Sequence, residues 1–159
     1  HKRVGKNGRC FNCLKFRSMV DGACKMQEEL VKSDTNAENG WLCWKIQDDP
    51  RVTRVGKWIR KFSIDELPQI FNVLSGKMSL VGPRPHIKEE VQGYKDWHKQ
   101  RLNVKPGITG PWQVSGRSEL PFDEMIKLDL FYIETWSVWT DVKIILRTFS
   151  AVLSSNGAY

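Results

Sequence analysis

Apolar residues recur along this chain at two different periods, and the change of period marks out its elements. In "RCFNCLKFRSM" (9–19) apolar and polar positions alternate, the pattern of a half-buried strand. The preceding "GKNG" supplies turn chemistry, so this strand is expected to form a hairpin with residues lost upstream. A short helical piece and a polar loop ending at Asn39-Gly40 fill 21–41. Val52, Val55, Ile59 and Phe62 then step by three and four, predicting a basic amphipathic helix capped by Asp48 or Asp49. A second helix over "LPQIFNVL" ends at Gly76, and an extended piece leads into Gly82-Pro83-Arg84-Pro85. "IKEEVQGYKDWHKQRL" (87–102) reads as a polar helix, and 105–121 as a Gly/Pro-rich loop. Two final helices break around "WSVWT". Helices outweigh strands and no repeat appears. The expectation is a mostly helical α+β fold, a single compact domain over 1–159 with a small antiparallel hairpin.

Composition narrows the class. A chain of 159 residues can bury a core without metals or disulfides, and 40% hydrophobic with 27% charged residues is a globular composition, with no low-complexity tract. The net charge of +7 calls for an anionic partner: nucleic acid, an acidic lipid surface or a phosphorylated substrate. No run of 18 apolar residues is present, so no helix here is expected to span a bilayer. His1 opens a stretch, "HKRVGKNGR", that reads as the middle of a longer chain, and no signal peptide is visible. Cys10, Cys13, Cys24 and Cys43 can be written as a zinc set, but the second pair lacks close spacing, which favours free thiols.

The candidate chemistry begins with "SIDELP" (63–68), where Asp65 and Glu66 follow a run of basic residues. One reading is a helix start: Ser63 and Glu66 match a capping box, although Pro68 then falls where a backbone hydrogen bond is needed. The other is a functional pair. Adjacent carboxylates ionise together only beside cations or a metal, and Arg60 and Lys61 are close in sequence. Such a pair can hold Mg²⁺ against substrate phosphates, and a carboxylate can itself attack phosphorus. "GPRP" is the second feature. Pro83 fixes its own φ and Pro85 extends Arg84, giving either a prearranged phosphate fork or a rigid turn with a solvated Arg. Lys15 and Arg17, two apart on the proposed strand, share a face that can line an anion site or simply be solvated. Gln113, Ser115 and Arg117 lie in the Gly/Pro-rich loop within reach of a ligand, while His86 and His98 lack metal-ligand company. Near the C-terminus Val142, Ile145, Leu146, Phe149 and Leu153 form one helical stripe. It suits core packing or a membrane interface, where nearby Trp and Tyr, with Lys127, Lys143 and Arg147, favour anionic lipid.

Taken in order, "KFRSM", "RVTRVGKWIRKFSIDELPQIFNVLSGKMSLVGPRP", "KPGITGPWQVSGR", "YIETWSVWTDVKIIL" and a terminal "GAY" closely resemble the bacterial sugar transferase family, the polyprenyl-phosphate hexose-1-phosphate transferases or monotopic phosphoglycosyl transferases. The resemblance implies a Mg²⁺-dependent enzyme that moves a sugar 1-phosphate from a UDP-sugar to undecaprenyl phosphate and releases UMP. It implies Asp65 as nucleophile, a covalent phospho-sugar on it, and Glu66 beside it holding Mg²⁺. The family's basic positions fall on Lys15, Arg60 and Arg84, the last between Pro83 and Pro85. Arg17, Gln113 and Arg117 complete the candidate substrate-binding set. Implied surroundings are the cytoplasmic face of a bacterial inner membrane, amphipathic interface helices, a re-entrant helix and further domains preceding His1, and self-association left open. A basic nucleic-acid module or a membrane-surface adaptor without catalysis is the alternative. The chain carries no recognised nucleic-acid motif, so no nucleic-acid partner is expected.

Overall fold

The protein is described by a computed structural model covering residues 1–23, 25–26, 49–115 and 120–153. Most of the 21–41 segment, Cys24, Cys43, Asp48 and Arg117 lie outside these residues. The hairpin is present, and its partner strand lies inside the chain rather than upstream of it. β1 (Lys2–Val4) pairs antiparallel with β2 (Cys10–Asn12), with Arg3 opposite Phe11. Asn7 and Gly8, at φ of 55° and 75°, make the tight left-handed reversal that the "NG" pair favours.

The strand expected over 9–19 stops at Asn12. Residues 13–18 continue extended but unpaired, held by other means, before Met19 bridges Val52. α1 (Arg54–Lys61) follows, capped by Thr53, whose hydroxyl accepts from the Gly56 amide at 2.9 Å. Asp49 does not cap it; its carboxylate is occupied by the Arg51 guanidinium at 2.6 Å. A 3-10 turn, Ile64–Glu66, leads into α2 (Gln69–Leu74), with Pro68 as N-cap, where its missing N–H costs nothing.

β3 (Ser79–Val81) pairs parallel with β4 (Gly107–Thr109), inside the stretch expected to be loop. Gly107 lets the backbones close: a Cβ there would stand 2.2 Å from the Gly82 nitrogen. The polar helix expected over 87–102 is broken into α3 (Lys88–Gln92) and a 3-10 segment, Asp96–Asn103. The break at Gly93 lets Tyr94, His98 and Arg101 turn inward, where all three are buried. α4 (Phe122–Glu134) and α5 (Val138–Leu153) close the fold. Val81, Tyr132 and Ile144 form the core between β3 and these two helices, with Val114, Ile133 and Ile145 packed around them. The fold is mostly helical α+β, with two two-stranded sheets among the described residues. Among the described residues no helix is long and apolar enough to cross a membrane.

Candidate active site

Asp65 and Glu66 sit on the 3-10 turn because Ser63 adopts a left-handed conformation, φ 54°, and swings the chain inward after α1. That reversal leaves the helix-start reading of "SIDELP" without its capping box: Ser63 makes no side-chain cap bond, and the Glu66 amide donates to the Ser63 carbonyl at 3.1 Å. Instead Asp65 is buried at 2% exposure, with Lys15 Nζ 2.8 Å from its Oδ2. The same Lys15 lies 3.3 Å from Glu66 Oε1, and Arg84 Nη2 donates to that oxygen at 3.0 Å.

Lys15 is delivered by the extended segment after β2. The Phe16 amide donates to the Asp65 carbonyl at 2.9 Å, and the Leu14 amide to Asn72 Oδ1 at 2.9 Å. Asn72 Nδ2 in turn donates to the Asn12 carbonyl at 2.8 Å. Asn72 thus serves backbone groups of Asn12 and Leu14 as a strand partner would, while the Cys13 and Phe16 amides use the His1 and Asp65 carbonyls. Arg84 comes from the loop after β3, between the buried Pro83 and Pro85. A cleft between hairpin, turn and loop is lined by Arg3, Cys13, Lys15, Glu66, Gln69 and Arg84.

The charges are strongly coupled. Burial would raise the Glu66 carboxyl, but the Arg84 and Lys15 charges and hydrogen bonds outweigh it and hold it at about 2. Glu66 reciprocally raises Arg84. Arg3 is lowered by burial and by the like charge of Arg84, and burial pushes the Cys13 thiol up. Three cations therefore face two carboxylates, leaving a net positive cleft for an anion.

The other expected residues lie elsewhere. Arg17 is exposed, pairs with Asp21 and is not among the residues lining the cleft. Arg60 donates from Nε to Ser18 Oγ at 2.8 Å. Gln113 donates to the Ile108 carbonyl at 3.2 Å beside β4. Three residues escaped the sequence reading: Arg3, Gln69 and Asn72. The period-two pattern places Arg3 on the face opposite Val4, but only the hairpin register turns that face to the cleft. Cys10 is exposed and Cys13 buried, both free thiols. Among the described residues no three His, Cys, Asp or Glu side chains converge as a metal cage. The donor set open to a metal is the Asp65–Glu66 pair. Two hard carboxylates beside a cationic cleft are the donor type that suits Mg²⁺, which takes one or two carboxylates and completes its shell with other oxygens.

The model of the family described as bacterial sugar transferase matches residues 1–155. The chain belongs to this family. A galactosyl transferase CpsE of Streptococcus agalactiae serotype III is 52% identical over 98% of the chain and 34% of its own length. An undecaprenyl-phosphate galactose phosphotransferase of Salmonella typhimurium is 47% identical over 100% of the chain and 34% of its own length. The exopolysaccharide production protein ExoY of Sinorhizobium fredii is 42% identical over 100% of the chain and 71% of its length. The chain thus spans about a third of the length of the first two sugar transferases. Within the family assignment, the ordered blocks "SIDELP" and "GPRP" are the segments that meet at the cleft.

Proposed function

We propose that this chain is a catalytic domain that transfers a sugar 1-phosphate from a UDP-sugar to polyprenyl phosphate in bacterial surface-polysaccharide assembly. The observation that carries the reading is the buried Asp65 carboxylate, 2.8 Å from Lys15, beside the Arg84–Glu66 pair. In the first step an Asp65 carboxylate oxygen attacks the sugar-bearing phosphorus. The bond from that phosphorus to the bridging oxygen breaks, UMP leaves with the electron pair, and an acyl-phosphate links Asp65 to the sugar. In the second step a phosphate oxygen of the polyprenyl acceptor attacks the same phosphorus. Asp65 departs as a carboxylate and a lipid diphosphosugar is formed.

Each neighbour has a part. Arg84 offers a planar fork to donor phosphate oxygens, and its two prolines leave little backbone entropy to lose on binding. Lys15 neutralises charge at the attacked phosphate. Mg²⁺, held by Asp65 and Glu66, would supply further neutralisation of the diphosphate. Glu66, ionised over the whole working pH range, keeps Arg84 charged and aimed at the cleft. The names of two relatives, an undecaprenyl-phosphate galactose phosphotransferase and an exopolysaccharide production protein, support the acceptor class and the pathway.

The test is a reaction with UDP-sugar and no lipid. UMP should appear at one equivalent per protein, and the protein should carry labelled sugar. Asp65→Asn should lose both by at least about a thousandfold. Retention of both by that variant would overturn the nucleophile assignment.

A further inference from the structure

The Pro83–Arg84–Pro85 loop poses a problem of support. Prolines at 83 and 85 remove two of its amide donors, so the loop is anchored chiefly through its carbonyls. Pro83 O accepts from the Gly107 amide at 2.9 Å, and His86 O from the Val4 amide at 2.9 Å. Arg84 O accepts from a side chain, Arg101 Nη2, at 3.0 Å.

Arg101 is buried behind the loop, at 3% exposure. The nitrogen that holds the Arg84 carbonyl also lies 2.6 Å from Asp129 Oδ2, and Asp129 has no exposed surface at all. Nη1 donates to Tyr94 Oη at 2.7 Å and lies 3.0 Å from His86 Nδ1. His86 is held neutral by burial and by the Arg101, Arg84 and Arg3 charges, so Arg101 needs no compensation from it beyond an acceptor. Burial pushes the Asp129 carboxyl up to about 6, with Arg101 offsetting part of that rise; at neutral pH it remains the counter-charge. None of these side chains lines the face of the cleft where Asp65 and Glu66 meet Lys15.

We infer that Arg101, anchored by Asp129, is a positioning residue that sets the orientation of Arg84 through its backbone carbonyl and so aims the Arg84 guanidinium at Glu66 and the donor phosphate. The step to donor phosphate rests on the function proposed above; the step to Glu66 does not. A guanidinium can serve Asp129, Tyr94 and the Arg84 carbonyl together, because its donors form a planar fork. A lysine ammonium is a point charge that can follow Asp129 but cannot span all three.

Two readouts on the complete chain test this, for Arg101→Lys, Arg84→Ala and the double variant. The first is the Arg84 guanidinium itself, observed without ligand by nitrogen-15 NMR of its Nε–H and assigned by its loss in Arg84→Ala; in Arg101→Lys the signal should shift and exchange faster with water. The second is donor kinetics. Losing one positioning hydrogen bond should raise the donor KM about fivefold, with kcat changed less, and should add little once Arg84 is already Ala. An unchanged Arg84 signal in Arg101→Lys, or KM effects that multiply with those of Arg84→Ala, would overturn the inference. If Arg101→Lys moves the Arg84 signal while Arg84→Ala leaves donor KM unchanged, the positioning stands and the phosphate role of Arg84 falls. Should Arg101→Lys not fold, replacing the pair together as Arg101→Met with Asp129→Leu removes both buried charges and the carbonyl's donor at once. The same two readouts, with the same outcomes, then decide.

Discussion

Glu66 carries a heavy electrostatic load at the scale of single residues. Its carboxyl sits at about 2 in the folded protein against an ordinary 4.5, so the folded state binds the anion more tightly than the unfolded state does. That stabilisation is complete above about pH 4.5 and is lost as pH falls through the folded value near 2. Its size is on the order of 3 kcal/mol. Asp129 runs the other way: with its carboxyl raised, stability from this group grows as pH falls from about 6. Urea unfolding at pH 7 and pH 3 separates the two, since Glu66→Gln should flatten the acid-side loss and leave the Asp129 contribution in place. An unchanged acid limb in Glu66→Gln would show that the Arg84–Glu66 pair is not the source. At the same scale, Arg84→Ala should raise donor KM about 10-fold to 100-fold, the range for one or two charged hydrogen bonds. Initial rates across donor concentration check it.

Three elements bear on the site without touching it. β3 and β4 deliver the start of the Pro83–Pro85 loop, and their closest approach is at Gly107, where a Cβ would meet the Gly82 nitrogen at 2.2 Å and the Thr109 carbonyl at 2.5 Å. Gly107→Ala must push these strands apart or fail to fold. We expect a loss of several kcal/mol by urea unfolding, of the size that marks core overpacking and broken ladder bonds. Wild-type stability would contradict the close approach. α1 depends on the Thr53 cap, so Thr53→Ala should cost about 1 kcal/mol with little change in donor kinetics. Thr53→Ser should restore most of it.

The whole molecule presents an apolar surface that its own core does not use. The stripe on α5 splits in the fold: Ile145 packs inward beside the core residue Ile144, while Leu146 and Phe149 stay 64% and 65% exposed. Trp136, Val138 and Trp139 extend this surface over the α4–α5 turn, and Phe131 lies exposed on α4. A second group, Leu67, Phe71 and Leu74, is exposed on and before α2, next to the dyad. An acceptor that is a membrane lipid gives such surfaces a use, and the net charge of +7 favours an anionic leaflet. The complete chain should therefore sediment with vesicles containing anionic lipid. Leu146→Ser with Phe149→Ser should weaken that binding about tenfold or more, from the transfer energy of two large side chains. Binding unaltered by that pair would move the contact elsewhere.

Much of the architecture was legible because it is local. The "NG" reversal, the helix end at Gly76 and the break at "WSVWT" depend on residues within a few positions, where turn chemistry and periodicity act directly. The candidate pairing of "SIDELP" with "GPRP" was legible from ordered blocks and family resemblance, not from spacing. Tertiary structure decided what depends on contacts across long stretches of chain. The parallel β3–β4 pair joins segments 28 positions apart in register, Ser79 with Gly107, and no local pattern announces it. Residues 13–18 alternate like a strand but are held by Asn72, whose role is visible only once α2 lies beside them. Arg101 falls on the expected polar helix, and its burial follows only once Gly93 breaks that helix and Asp129 supplies a buried charge. Sequence alone named the carboxylates and the guanidinium; burial and long-range pairing determined which way each points.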